Sequence, residues 1–115
     1  MADANAPSRS EVLQGTLEML TLKALTLQPM HGWGISIRLR QISGDVFDVN
    51  QGSLYPALQR MLRRGLIRAY YADSENNRRA RYYTITKAGQ KQLAAETALW
   101  ARTVDMMARM LEPES

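Results

Sequence analysis

The chain has no cysteine, one histidine and one phenylalanine among its 115 residues. Without cysteine there is no disulfide framework, no thiol nucleophile and no thiolate metal site. His31 alone is too little for an imidazole metal cluster. No run approaches the roughly 18 uninterrupted apolar residues of a membrane helix. The opening MADANAPSRS has no basic start leading into an apolar stretch, so it does not read as a secretory signal. It reads as a disordered lead-in over residues 1–8, and the expected setting is cytoplasmic. Paired carboxylates, a phosphate-cradling glycine loop and nucleophile triads are missing as well. No catalytic residue, metal or cofactor is therefore expected. His31, at a helix start, is read as capping, packing or touching a phosphate.

What is present is arginine, and it is concentrated. Residues 60–81 hold seven arginines (Arg60, Arg63, Arg64, Arg68, Arg78, Arg79, Arg81) against Asp73 and Glu75, an excess of five positive charges. The rest of the chain carries 8 basic and 9 acidic residues, so this segment accounts for the whole net charge of +4. Such a patch is a candidate footprint for a polyanion, and guanidinium groups suit phosphates and guanine edges. Length allows one domain with a small core.

The periodicity gives helix, helix, helix, strand, strand, helix. SRSEVLQGTLEMLTLKALTLQ opens with Ser8 and Glu11 at capping-box spacing. At 100° per residue, Leu13, Leu17, Leu20, Ala24 and Leu27 fall on one side of this helix and Val12, Met19 and Leu22 on another. A polar strip of Gln14, Glu18, Thr21 and Gln28 lies between them. QPMHG breaks the pattern. A second helix over about 32–42 carries Ile35, Leu39 and Ile42, with Gly44 at its end. Asn50 caps a third helix, QGSLYPALQRMLRRG, with Pro56 in or just past its first turn. The strand-like runs LIRAYY and RYYTIT flank ADSENNRRA, a hairpin with a nine-residue loop. Thr86 caps a last helix over 87–111, and residues 112–115 form a tail.

This order predicts a mainly α fold with a small β-hairpin, a winged helix-turn-helix over 9–86 followed by a long C-terminal helix. In such modules the third helix enters the major groove and the hairpin wing lies beside it. Leu54, Leu58, Met61 and Leu62 project to one side of the third helix as its core face. The other side presents Ser53, Pro56, Gln59, Arg60, Arg63 and Arg64, with Tyr55 on the flank. Ser53, Tyr55 and arginine suit phosphate contacts, Gln59 suits adenine, and Arg60 or Arg63 suits guanine. On the wing, Arg81 shares a strand face with Tyr83 and is expected to be partly packed. That leaves Arg78 and Arg79 as the stronger DNA contacts.

In the last helix Leu93, Thr97, Trp100, Val104, Met107 and Leu111 make a heptad-like seam, broadened by Leu99, Met106 and Met110. Together with the two-sided first helix it points to a homodimer. The candidate interface is Val12, Met19, Leu22, Leu93, Trp100, Val104, Met107 and Leu111, since such faces left bare invite aggregation.

The combination LQGTLEMLTLKAL, HGWGI, GSLYPALQRMLRRGLI and RRARYYTITKAGQKQL resembles the PadR family of bacterial transcriptional regulators over roughly residues 11–100. The resemblance implies a homodimeric winged-helix DNA-binding protein, usually a repressor, on inverted-repeat operators and often released by an effector. It carries the family's recognition-helix serine or threonine and tyrosine onto Ser53 and Tyr55, and its basic positions onto Arg60 and Arg63. Trp33 stands where tyrosine is more common. The chain is similar to the short members with a single C-terminal helix, some of which bind planar compounds between paired tryptophans. An effector pocket at Trp100 and Met107 follows as an expectation. The rival reading is a winged-helix protein-interaction module whose basic patch meets an acidic partner, and an RNA-binding module is a weaker third.

Overall fold

The structure, a computed structural model, describes residues 9–113, with side chains from residue 15. The lead-in and Ser8 of the capping box lie outside the described residues, and so does the side chain of Val12. The elements are α1 (Arg9–Leu25), β1 (Met30–His31), α2 (Gly32–Ile42), α3 (Gln51–Arg63), β2 (Ile67–Asp73), β3 (Arg79–Ile85) and α4 (Lys87–Leu111). None of the described helices is long and apolar enough to cross a membrane.

Three helix starts are fixed by a side chain that accepts a backbone N–H of the first turn, the hydrogen bond that relieves a helix's orphan donors. His31 Nδ1 accepts from Gly34, Asn50 Oδ1 from Ser53 and Thr86 Oγ1 from Gly89, at 2.9, 2.8 and 3.0 Å. Pro56 stands at the sixth residue of α3, just past its first turn. There its missing N–H withdraws the helical partner of the Gly52 carbonyl.

The core packs α1 against α2, α3, α4 and β3. Leu17, Leu22, Ala24 and Leu25 of α1 are buried with Ile35 and Leu39 of α2, Leu54, Ala57, Leu58 and Met61 of α3, and Leu66, Ile67 and Tyr83 around the sheet. Two expectations about α1 are thereby corrected. Leu22, at 1% exposure, belongs to the chain's own core and not to a dimer face. The polar strip is covered in its middle, with Thr21 at 0% and the Glu18 side chain at 16%, while Gln28 is exposed. A central helix ringed by its own chain has no bare side left for these residues. The helix also stops at Leu25, where Thr26 and Leu27 bond back three residues to Lys23 and Ala24. Leu27 is left in the exposed turn before Pro29.

The sheet has three antiparallel strands in the order β1-β3-β2. β1 was not expected, because a two-residue strand between a proline and a glycine carries no readable alternation. It forms because Met30 and His31 lie opposite Tyr83 and Tyr82. The hairpin loop is also shorter than the nine residues expected. Strand pairing continues through Ala72↔Ala80 to Asp73↔Arg79, which leaves Ser74–Arg78. Within it Ser74 N–H bonds Arg78 O and Asn77 N–H bonds Ser74 O, with Asn77 in the left-handed region at φ 57°. Asparagine tolerates that conformation, so the tip closes as a turn ending in a bulge.

After α3, Gly65 takes φ +72° and the chain turns into β2. The start of α4 is pinned to this corner. Thr86 Oγ1 donates to Gly65 O at 2.7 Å and Thr86 N–H to Leu66 O at 3.1 Å. A Cβ on Gly89 would collide with that same Leu66 carbonyl oxygen, so this close approach requires glycine. Beyond Leu93, which packs on the core, α4 runs outward, and the molecule reaches 60 Å in its longest dimension.

Candidate nucleic-acid interface

Strand alternation sorts the wing into two faces. Directly opposed residues share a face, which puts Ala69, Tyr71 and Asp73 with Arg79, Arg81 and Tyr83. Tyr70, Tyr82 and His31 lie on the other. On the first face the Arg79 guanidinium lies 5.3 Å from the Tyr71 ring centre and that of Arg81 lies 5.7 Å from the Tyr83 ring centre. Cation–π contact of this kind holds a long side chain over a flat one while its outer N–H groups stay available. Tyr83 is buried, and burial pushes its hydroxyl above the usual tyrosine value. Arg81 opposes that rise, and the phenols of Tyr55 and Tyr71 add to it. Tyr55 of α3 and the arginine-bearing face of the wing therefore both act on the hydroxyl of one buried ring. Arg81 is half-buried, as its alternation with Tyr83 suggested, while Arg78 and Arg79 are exposed.

On α3, Ser53, Tyr55 and Arg63 are exposed, so the start of the helix and its basic end both face outward beside the wing. Two other expected readers are placed differently. Arg60 is turned back, with its Nε 3.0 Å from Glu18 Oε1 of α1 and its side chain 31% exposed. Arg64 Nη1 joins the same carboxylate at 3.6 Å. Gln59 is half-buried, and its Nε2 is buried and without a hydrogen-bond partner among the described residues. The tying of Arg60 depends on a contact across elements that a helical projection cannot include.

His31 is also placed elsewhere. Its Nδ1 caps α2, its ring meets Tyr82 edge-on at 5.3 Å, and Tyr82 stacks on Tyr70 at 5.7 Å. It faces away from Arg79 and Arg81, so the structure does not bring it to the site. Gln51 was missed by the sequence reading. Its Nε2 donates to Ser36 Oγ at 2.6 Å and so ties the start of α3 to α2. An exposed glutamine after an N-cap gives no sequence signal of that link.

Of the expected interface residues, Met19 and Leu93 are half-buried. Trp100, Val104, Met107 and Leu111 are 46–71% exposed, and Leu99, Met106 and Met110 are exposed with them. The expected effector residues Trp100 and Met107 are not among the residues that line the cleft of the described chain. A cleft of about 630 Å³ lies instead between α2 and the wing tip, lined by Trp33, Ile37, Arg38, Glu75 and Tyr82 among others.

A helix-turn-helix with an arginine-lined wing folded beside its third helix is the architecture of a winged-helix DNA-binding regulator. The comparisons with known proteins agree. Residues 21–95 match the transcriptional regulator PadR-like family, and the chain belongs to that family. It is similar to a solved transcriptional regulator from Clostridium thermocellum, with TM-score 0.80 and 25% identity, over 89% of this chain and 99% of that one. A PadR-like transcriptional regulator from Bacillus cereus superposes with TM-score 0.77 at 28% identity, over 90% and 99% of the two chains. An uncharacterized protein of Lysinibacillus sphaericus is 26% identical over 104 residues, 90% of this chain and 95% of that one. Members of the PadR family are transcriptional regulators that bind DNA, and they are not enzymes.

Proposed function

We propose that the chain is a cytoplasmic homodimeric repressor that binds an inverted-repeat operator and is released by a planar effector. The observation that carries this reading is the uncovered seam of α4. Trp100, Val104, Met107 and Leu111 repeat at heptad spacing along a helix pinned to the domain at its start. A second copy presents the same seam, and a two-fold pairing buries both at once. The two α3 helices are then related by that two-fold, and the operator repeats mirror it. In the dimer Trp100 and Met107 of both copies come together, where a polarizable methionine lining adapts to a flat ligand. Such a ligand biases the angle between the two winged units, and with it their fit to successive grooves.

Mobility shift on the duplex upstream of the protein's own gene, with random duplex as competitor, tests the operator reading. Light scattering on the same samples tests the dimer. The upstream duplex is expected to bind at least tenfold tighter, and the protein to run as a dimer at micromolar concentration. Arg79→Ala should weaken binding to all sequences and flatten the salt dependence by about one counterion. Arg63→Ala should relax preference at one operator position. Equal affinity for both duplexes rejects the operator there, and tight binding to an acidic protein in its place favours the interaction-module reading. Tryptophan quenching by a panel of planar aromatics, lost in Trp100→Ala and kept in Trp33→Ala, locates the effector. Quenching that survives Trp100→Ala removes the pocket.

A further inference from the structure

The three arginines at the end of α3, Arg60, Arg63 and its C-cap Arg64, are not equivalent. Arg63 is exposed and has no carboxylate within 4 Å among the described residues. Arg60 and Arg64 share Glu18, a carboxylate on α1 whose side chain is 16% exposed. The Arg60 bond, Nε–H to Oε1 at 3.0 Å, is a charge-assisted hydrogen bond in a half-buried setting. Pairs of that kind resist salt better than exposed ones. The other pairs of the described chain, Arg40–Asp45 and Arg109–Asp105, are exposed on both sides.

A carboxylate shared between two guanidiniums at the end of the DNA-facing helix engages the Arg60 Nε–H and offsets positive charge that a phosphate would otherwise meet. DNA phosphates attract arginines whatever the base sequence, and this attraction supplies nearly all nonspecific affinity. Three unpaired arginines at the end of this helix would hold any duplex strongly and blur the difference between sites. We propose that Glu18 is a specificity-determining positioning residue. It acts as an internal stand-in for phosphate that keeps Arg60 and Arg64 against α1, so that nonspecific DNA is held by Arg63 and the wing alone. Glu18 touches no DNA in this scheme and acts only through the two arginines. The proposal rests on the reading of α3 as the DNA-facing helix.

The test uses Glu18→Gln, Arg60→Gln/Arg64→Gln and the triple variant, titrated over a range of salt. The probes are a random-sequence duplex and the duplex upstream of the protein's own gene. Glu18→Gln should bind random duplex on the order of five-fold tighter, with a salt slope steeper by about one to two counterions. The ratio of upstream to random affinity should fall accordingly. In the Arg60→Gln/Arg64→Gln background the Glu18→Gln change should alter random-duplex affinity less than about twofold, since nothing remains to be released. A gain that persists in that background shows a general effect of net charge and overturns the proposal, and so does no gain, or a loss, in folded Glu18→Gln.

A measurement on the wild-type protein keeps the proposal falsifiable if Glu18→Gln fails to fold. The Arg60 Nε–H resonance should stay unshifted as random duplex is added while that of Arg63 moves. An Arg60 shift of the same size as that of Arg63 means that the pair opens on any DNA, and it overturns the proposal by itself. Wild-type protein with no salt-dependent affinity for either duplex would defeat the DNA-facing reading of α3 and the proposal together.

Discussion

The helices α3 and α4 are both amphipathic, and the chain treats their apolar faces in opposite ways. Leu54, Ala57, Leu58 and Met61 of α3 are buried to within 1% by α1, α2 and β2. On α4 burial ends near Leu93, and from Leu99 to Leu111 the apolar residues are about half exposed or more. A periodic stripe states that a face needs covering and says nothing about what covers it. For α3 the cover is in the same chain. For α4 the cover we propose is a second copy.

The largest expected effect tests this contrast directly. Leu58→Ala should cost about 2–5 kcal/mol of unfolding free energy, the range for a large residue removed from a packed core. Met107→Ala, measured by urea unfolding at dilutions that favour monomer, should change stability by only about 0.5 kcal/mol. Its effect should grow with protein concentration as dimer contributes to stability. If Met107→Ala costs as much as Leu58→Ala at high dilution, the outer half of α4 is packed within its own chain and the contrast fails.

The next effect marks where covered helix gives way to uncovered helix. Gly89→Ala forces a methyl group against the Leu66 carbonyl oxygen and should destabilise by about 1–3 kcal/mol. Ala101→Gly, in the exposed stretch, should cost no more than the helix-propensity difference of about 1 kcal/mol. Thermal unfolding of both variants at equal concentration gives the comparison. A larger loss for Ala101→Gly would move the anchor of α4 outward.

The smallest effect concerns the ring at the seam between α3 and the wing. Burial raises the Tyr83 hydroxyl above its ordinary value, so the folded state keeps that proton at pH values where the unfolded chain has lost it. Ionisation then favours the unfolded chain. Stability falls as pH rises above the ordinary tyrosine value of about 10, and the fall ends once the folded hydroxyl ionises too. Tyr83→Phe should therefore lose less stability than wild type in urea melts between about pH 9 and 11. Parallel pH profiles in the two proteins would mean that Tyr83 is not held in the covered region as described.

Much of the candidate site is legible in the residues because its determinants are local. Asn50 and Thr86 cap helices three residues ahead of them, and the wing strands carry β-branched and aromatic residues in alternation. Arg78 and Arg79 stand next to a turn that Asn76 and Asn77 announce. Such features depend on hydrogen bonds and side-chain periods that span a few residues, so the order of elements and the outward faces of α3 and the wing follow from sequence. Arg60 shows where this ends. Its projection places it among the exposed readers, yet its partner Glu18 lies 42 residues away in the chain. No period within α3 contains that information.

What the sequence by itself determined is the winged helix-turn-helix order, the caps, the arginine-rich segment and the apolar stripe on each helix. The tertiary structure alone decided that Leu22 and Thr21 lie inside and that the His31 ring meets Tyr82 on the far side of the wing. It alone added β1 as a third strand, shortened the loop to Ser74–Arg78 and gave Glu18 both Arg60 of α3 and its cap Arg64. The physical reason is one of range. Backbone hydrogen bonds and side-chain spacing act between near neighbours, whereas burial and ion pairing depend on which distant segment arrives at the same place.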